Sequence, residues 1–360
     1  MKKLALIQVG YGTVGGAVIR QVIENRATWR EKLDLDVRIA AVAGSNGIVL
    51  VEADGELTDE QLLACCNQRG AQATGPALTE VVAAIGEADV VVLMDAAASD
   101  ATTDAIVATL NAGAGAVLSN KAPMALPLSD NRARTLWEHA SIGGRLRYEA
   151  TCGAGLPVIS TLQSLLATGD EVIEITGALS GTFGAIFSAV ADGTAFSDAV
   201  ADAKARGYTE PDPRDDLSGL DVARKALILA RTIGREINLD EIRVQSLVPE
   251  SLAAGSVDEF LGGLHISNDE IGPQAIRARL DNAALKYVAT VRPEGEIEVG
   301  LRPVPTSTVL GALQGPENVV SFRTKRYDDY PTVVSGPGAG ADVTAAGMIA
   351  DALSLTLDML

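Results

Sequence analysis

Residues 4–16, LALIQVGYGTVGG, decide the fold. Leu4 to Gly10 is a short apolar run of buried-strand length. Gly10, Gly12 and Gly15 then spell G-x-G-x-x-G, with Gly16 following. The next segment, AVIRQVIENRATWRE, has helical spacing through Val18, Ile19, Val22 and Ile23. Strand, glycine pattern and helix in that order are the context in which the motif has a mechanism. The first glycine makes the tight turn, the second lets the backbone approach a pyrophosphate, and the third lets helix and strand pack closely. The helix N-terminus adds unpaired N–H groups and a positive dipole end. Gly10, Tyr11, Gly12, Thr13, Val14 and Gly15 are therefore expected to hold a dinucleotide. The plain alternative is a tight strand–helix turn in another α/β fold.

The rest of the first third repeats the strand pattern. VRIAAVAG (37–44) is a second strand, and its end reads Ala43-Gly44-Ser45-Asn46. An acid there would hold the ribose hydroxyls of NAD, and an arginine would grip the 2′-phosphate of NADP. Neither is present. Gly44 and Ser45 leave room for a phosphate, which leans towards NADP, and either cofactor stays open. ADVVVLMDAA (88–97) is another buried strand, with Asp95 at the end where ligands meet an open parallel sheet. AGAVLSNK (114–121) ends in Lys121, which could reach cofactor or substrate; position alone favours an ordinary solvated lysine.

Downstream, residues 145–169 read as strand, small-residue loop and helix, with Pro157 suited to the first helical turn and Gly169 to the stop. The loop Thr151-Cys152-Gly153-Ala154-Gly155 could curl and aim several carbonyls at one point, as a monovalent cation requires, although on its own it reads as a plain loop. A strand at 172–179 runs into Ser180-Gly181-Thr182, with Thr182 placed like an N-cap. The richest stretch is GYTEPDPRDDLSGLDVARKALILAR (207–231). Pro211 and Pro213 stiffen a loop presenting Glu210, and a helical pattern from Leu217 onward puts Asp221 and Lys225 on one face. The bland reading is a surface ion pair. The sharper one is an amino-acid site, in which carboxylates hold an ammonium group and a lysine delivers a proton to an aldehyde oxygen.

The bulk numbers bound these readings. At 360 residues the chain suits two domains rather than one small core. A formal charge of −18 repels phosphate backbones, so no nucleic-acid partner is expected. Three cysteines, Cys65, Cys66 and Cys152, form no framework and point to a reducing, cytoplasmic compartment. Met1-Lys2-Lys3 resembles the start of a secretory signal, but Gln8, Gly10, Gly12 and Thr13 break the apolar run too early. No apolar stretch reaches the length of a membrane span. In the last third, KYVATV and EIEVGL (286–301) read as a hairpin, residues 319–324 and 332–335 as strands, and 342–360 as a final helix.

At this point the sequence resembles the homoserine dehydrogenase family. The resemblance rests on GYGTVG (10–15), SNKAP (119–123), YEATCGAGLP (148–157), GALSGT (177–182), residues 207–225 and GPGAGADVTAAG (336–347), in family order across nearly the whole chain. It is similar to the short form, with no aspartate kinase region before the fold and no regulatory domain after it. The resemblance implies an α/β chain: a Rossmann-type doubly wound parallel sheet over 1–147, an α+β catalytic and dimerisation domain with a mixed sheet over 148–335, and a C-terminal helix, 336–360, returning to the first domain. It implies NAD(P)-dependent interconversion of L-aspartate 4-semialdehyde and L-homoserine, in threonine, methionine and isoleucine biosynthesis, by a homodimer.

By the same resemblance, Lys225 is the acid/base and Lys121 assists beside the nicotinamide. Glu210, Asp221, Asp216 and Thr182 bind or orient substrate. Ala97 and Gly340 approach the cofactor, and the backbone carbonyls of Glu149, Cys152, Ala154 and Leu156 hold a sodium-like ion. One departure stands out: relatives often carry a threonine or serine just after the strand ending at Asp95, whereas this chain has Ala96-Ala97-Ala98, with Ser99 the first hydroxyl. The rival readings are a dehydrogenase of this fold for another small amino-acid semialdehyde, and a cofactor-binding sensor without turnover.

Overall fold

The chain opens with β1 (Lys2–Val9), and the turn at Gly10 feeds α1 (Thr13–Leu33). The computed structural model describes residues 1–44, 47–52, 56–67, 78, 85 and 88–360. The elements that follow are β2 (Leu35–Gly44), β3 (Gly47–Val51), α2 (Asp59–Asn67), β4 (Val90–Asp95), α3 (Thr103–Asn111), β5 (Gly115–Leu118), α4 (Asn131–His139) and β6 (Leu146–Arg147). Six strands form one sheet in the order β3-β2-β1-β4-β5-β6. All neighbours are parallel except β3, which pairs antiparallel with β2 at the edge. The run Leu4 to Ile7 is apolar because β1 sits mid-sheet, covered on both faces; each of the four is 2% exposed or less. Chain order changes direction at β1 and β4, the place where such sheets take ligands.

The chain continues through α5 (Val158–Ala167), β7 (Val172–Ala178), α6 (Gly181–Ala191), α7 (Phe196–Ala205), α8 (Pro213–Leu217), α9 (Leu220–Thr232) and β8 (Arg243–Val244). Then come α10 (Val257–Gly263), α11 (Asn268–Leu280), β9 (Ala283–Val291), β10 (Glu298–Pro305), α12 (Val309–Ala312), β11 (Glu317–Thr324) and β12 (Thr332–Pro337). The second six-stranded sheet has the order β12-β11-β7-β9-β10-β8. It is mixed: antiparallel throughout except for the β8–β10 pair. The expected hairpin is β9–β10, with Gly295 at positive φ in its turn. Helix α6 packs on β9 through Phe183, whose ring stacks on Tyr287 with centroids 3.8 Å apart.

The helix expected from Leu217 onward is broken. Gly219 stands between α8 and α9 at φ +74, and a Cβ there would lie 2.0 Å from the Tyr287 hydroxyl oxygen. Only glycine meets both conditions. That break sets the start of the helix carrying Asp221 and Lys225.

The final helix, α13 (Ala341–Met359), packs along α1 and the first sheet. The chain accordingly divides into one unit of Met1–Ile159 with Ala339–Leu360, and a second of Ser160–Gly338. The loop 148–157 thus belongs with the first unit, and the division falls after Ile159 instead of 147. Among the described residues, no helix is long and apolar enough to cross a membrane.

Candidate functional site

The three motif glycines divide their work as the pattern requires. Gly10 turns at φ +76 and presses on the next strand end, where a Cβ would lie 2.8 Å from the Ala96 carbonyl oxygen. Gly15 closes the strand–helix corner, where a Cβ would come within 1.8 Å of the Gly10 carbonyl oxygen. At Gly12 an added Cβ would meet nothing within 4 Å. That open position lies at the α1 N-terminus, with Thr13 and Val14 in the first turn, where backbone N–H groups could receive an anion. The Tyr11 side chain, 8% exposed, folds over the end of β2: a Cβ on Gly44 would lie 2.8 Å from its ring. The room expected beside Gly44 is therefore occupied by an aromatic ring, and Ser45 lies outside the described residues.

Asp95, at the end of β4, is fully buried. It accepts hydrogen bonds from the Ala97 N–H (2.9 Å), the Thr102 hydroxyl (2.7 Å) and Asn120 Nδ2 (3.0 Å). Burial raises its pKa, while those three donors act in the opposite direction. The position read as ligand-facing is thus an internal anchor. The Ala97 N–H is engaged by Asp95. Asn120, which sequence reading passed over, also donates to the Ser99 carbonyl (2.7 Å) and accepts from the Ala122 N–H (3.1 Å). Together Asp95 and Asn120 fix the backbone on either side of half-exposed Lys121. Gly340, exposed at φ +126, caps α13, and its carbonyl accepts from the Thr344 hydroxyl at 2.8 Å.

The loop after β6 curls through two successive residues at positive φ, Gly153 (+91) and Ala154 (+57). Glu149 N–H donates to Asp351 Oδ2 at 2.8 Å, and the Glu149 carboxylate accepts from the Ile159 N–H at 2.6 Å. The Glu149 carbonyl accepts from the Cys152 N–H, and the Leu156 carbonyl from the Val158 N–H. The Ala154 carbonyl faces α13, where a Cβ on Gly347 would lie 2.9 Å from it. Among the described residues no group of three or more His, Cys, Asp or Glu side chains could hold a metal ion.

In the second unit, Lys225 is 8% exposed on α9. Its Nζ donates to the Leu179 carbonyl just beyond β7 at 2.7 Å and pairs with Asp221 Oδ2 at 2.8 Å. This is not the surface pair of the bland reading, because the ammonium is buried and held by two elements. Glu210 is brought in by its loop. Asp212 caps α8 by accepting from the Arg214 N–H (3.0 Å), with Pro213 in the first turn, and Lys204 Nζ donates to the Pro211 carbonyl at 2.6 Å. The Glu210 N–H donates to Asp216 Oδ2 at 2.8 Å.

The N-cap of α6 is Ser180, whose hydroxyl accepts from the Phe183 N–H at 3.2 Å; Thr182 lies inside the helix. This corrects the capping role expected of Thr182. Its hydroxyl is instead 2.6 Å from the Tyr208 carbonyl oxygen and 3.0 Å from Asp216 Oδ1, with one proton for the two acceptors. Asp216 therefore ties the Glu210 loop to α6. Burial raises the Asp216 pKa, and the Glu210 and Asp221 carboxylates push the same way against the Glu210 N–H and Thr182 hydroxyl. The second unit thus gathers Thr182, Glu210, Asp216, Asp221 and Lys225, and the first carries the dinucleotide loop, Ala97, Lys121, the carbonyl loop and Gly340.

Sequence comparison matches both parts. The family Homoserine dehydrogenase matches residues 157–353, and Homoserine dehydrogenase, NAD binding domain, matches residues 10–149. The chain is 38% identical, over 98% of its length, to the bifunctional aspartokinase/homoserine dehydrogenase 2, chloroplastic, of Zea mays, and it spans 38% of that protein. A homoserine dehydrogenase of Paracoccidioides brasiliensis is 39% identical across 73% of this chain and 74% of its own. The crystal structure of a protein of unknown function from Candida auris has a TM-score of 0.86 at 32% identity, covering 99% of this chain and 98% of that one. With its dinucleotide-binding and catalytic regions both matched, the chain belongs to the homoserine dehydrogenase family.

Proposed function

We propose that the protein catalyses the NAD(P)-dependent interconversion of L-aspartate 4-semialdehyde and L-homoserine. The observation that carries this reading is the buried Lys225 ammonium, held by the Leu179 carbonyl and Asp221 in a cluster of carboxylates. The nicotinamide, when bound, supplies or takes up the hydride. Lys225 gives its Nζ proton to the aldehyde oxygen as negative charge develops there, and in the oxidative direction it takes that proton back. A positioned general acid of this kind contributes about 10²–10⁴-fold. Glu210 and Asp221 hold the substrate ammonium, and Asp216 and Thr182 set the loop that presents Glu210. Lys121 adds positive charge at the nucleotide-binding unit.

Gly12 leaves the loop open where a pyrophosphate would sit, so the residues present fit a dinucleotide. The carbonyls of Glu149, Cys152, Ala154 and Leu156 are proposed to hold a monovalent cation. In support, two positive-φ residues curl the loop that carries these carbonyls. A homodimer is proposed to form on the second sheet, whose face carries a cleft of 570 Å³ lined by Thr176, Thr290, Ser321 and Val333. The three cysteines are free thiols, in keeping with the cytoplasmic reading.

The test is L-homoserine oxidation followed by absorbance of the reduced cofactor, with NAD and NADP side by side. Turnover with either is the expected result, and the ratio gives the cofactor preference. Cofactor binding without turnover on homoserine would move the assignment to another semialdehyde, or to a sensor if those also fail.

A further inference from the structure

Gln8 is a polar residue in the apolar run of β1, two places before Gly10 and 1% exposed. Its side chain turns towards the glycine loop. Nε2 donates to the Gly10 carbonyl at 2.8 Å and to the Val9 carbonyl at 3.1 Å. These two acceptors fix the amide orientation, because the reversed amide would set oxygen against oxygen. The Val9 carbonyl already accepts from the Ala96 N–H at 2.8 Å, so the bond to Gly10 is the one that the amide adds. Gln8 Oε1 is buried without a partner. Keeping an unsatisfied oxygen in a mid-sheet strand costs stability that an apolar side chain would not, so a use for the Nε2 contact has to offset that cost.

The Gly10 carbonyl supplies such a use. It points into the corner between β1 and α1, where it lies 1.8 Å from a Cβ built on Gly15. In a trans peptide the carbonyl of one residue and the N–H of the next point in opposite directions. Pinning the Gly10 carbonyl inward therefore turns the Tyr11 N–H out of the corner, in the loop that is open at Gly12. We propose that Gln8 is a positioning residue of the dinucleotide site: it holds the Gly10 carbonyl and so aims the Tyr11 N–H at the pyrophosphate. The inference rests on the dinucleotide reading of this loop. Nothing in the motif itself calls for a glutamine at this place.

The test uses Gln8→Leu and Gln8→Met in the full chain, both near in size to the amide and apolar. Affinity is measured by NADPH fluorescence and by calorimetry with ADP-ribose, which carries the pyrophosphate without a nicotinamide. The expected result is about 5–20-fold weaker binding of both ligands, the scale of one misaimed hydrogen bond to a charged group. Thermal midpoints should stay within about 2 °C of the parent, and the KM for L-homoserine at saturating cofactor should not change. Parental affinity in either folded variant overturns the proposal. So does a weakening matched by an equal rise in the KM for L-homoserine, which marks general damage. If Gln8→Leu does not fold, Gln8→Met decides alone. A parent protein that binds neither ligand removes the dinucleotide reading, and the proposal with it.

Discussion

Lys225 donates from Nζ to the Leu179 carbonyl at 2.7 Å, joining the middle of α9 to the end of β7. Lys225→Ala removes the proposed proton donor and leaves the glycine loop untouched. The expected outcome is a loss of about 10²–10⁴-fold in kcat for L-homoserine, with NADPH affinity within about two-fold of the parent. Steady-state kinetics and fluorescence titration check the two halves, and unchanged turnover would falsify the assignment.

Asp216 is expected to act on binding more than on chemistry, since its oxygens accept from the Glu210 N–H and stand beside the Thr182 hydroxyl. Asp216→Ala frees the loop that presents Glu210. The KM for L-homoserine should rise about ten-fold, on the scale of one lost hydrogen bond, with a smaller drop in kcat. Kinetics at saturating cofactor measure the split; a fall confined to kcat would assign Asp216 to the chemistry instead.

Two glycines of the motif should fail in different ways. At Gly12 an added methyl meets nothing in the protein, so Gly12→Ala should keep its thermal midpoint while cofactor KM rises by about ten-fold or more. At Gly15 the methyl would strike the Gly10 carbonyl, so Gly15→Ala should lower the midpoint by several degrees or fail to express. Differential scanning fluorimetry with and without NADPH separates the two, and a Gly12 variant with parental cofactor KM would count against the pyrophosphate cradle.

The second unit carries its own acid sensitivity. Asp170 accepts from the Thr324 hydroxyl at 2.7 Å, the Glu171 N–H at 2.9 Å and the Arg326 N–H at 3.2 Å. Burial works to raise its pKa, but these bonds outweigh it and leave the carboxyl below its ordinary 3.8. A lowered carboxyl pKa gives stability that is fully present above the unfolded value and is lost as pH falls through the folded one. Asp170→Asn should therefore melt about 2–4 °C lower at pH 7, and the gap should narrow as pH drops below about 4. Melting curves from pH 3 to 7 test this; a gap that does not change with pH would mean that charge plays no part.

What the sequence disclosed followed from local rules. A glycine needed for positive φ or close approach is visible as a glycine, so the turn at Gly10 and the tight corner at Gly15 are legible in the sequence. The i,i+4 spacing put Asp221 and Lys225 on one face. The sequence does not show which face is buried, and so the difference between a surface pair and a held ammonium came only from the Leu179 contact. Ser180 and Thr182 both bear hydroxyls near the start of α6, and only tertiary packing chose Ser180 as the cap and gave Thr182 to Tyr208 and Asp216. The folding of Tyr11 over Gly44 is equally non-local. Gln8 and Asn120 were hidden because a single amide in an apolar run, or beside a lysine, changes no periodicity.

The first unit is assembled from both ends of the chain. Its core takes Ala345, Met348, Ile349, Ala352 and Leu355 from α13 together with Leu4, Leu6 and Val18 from the opening strand and helix. Residues 1–159 and the helix that completes their core are separated in sequence by the continuous stretch 160–338. The apolar core around β1 is therefore completed only by residues that lie beyond the whole of the second unit in the sequence.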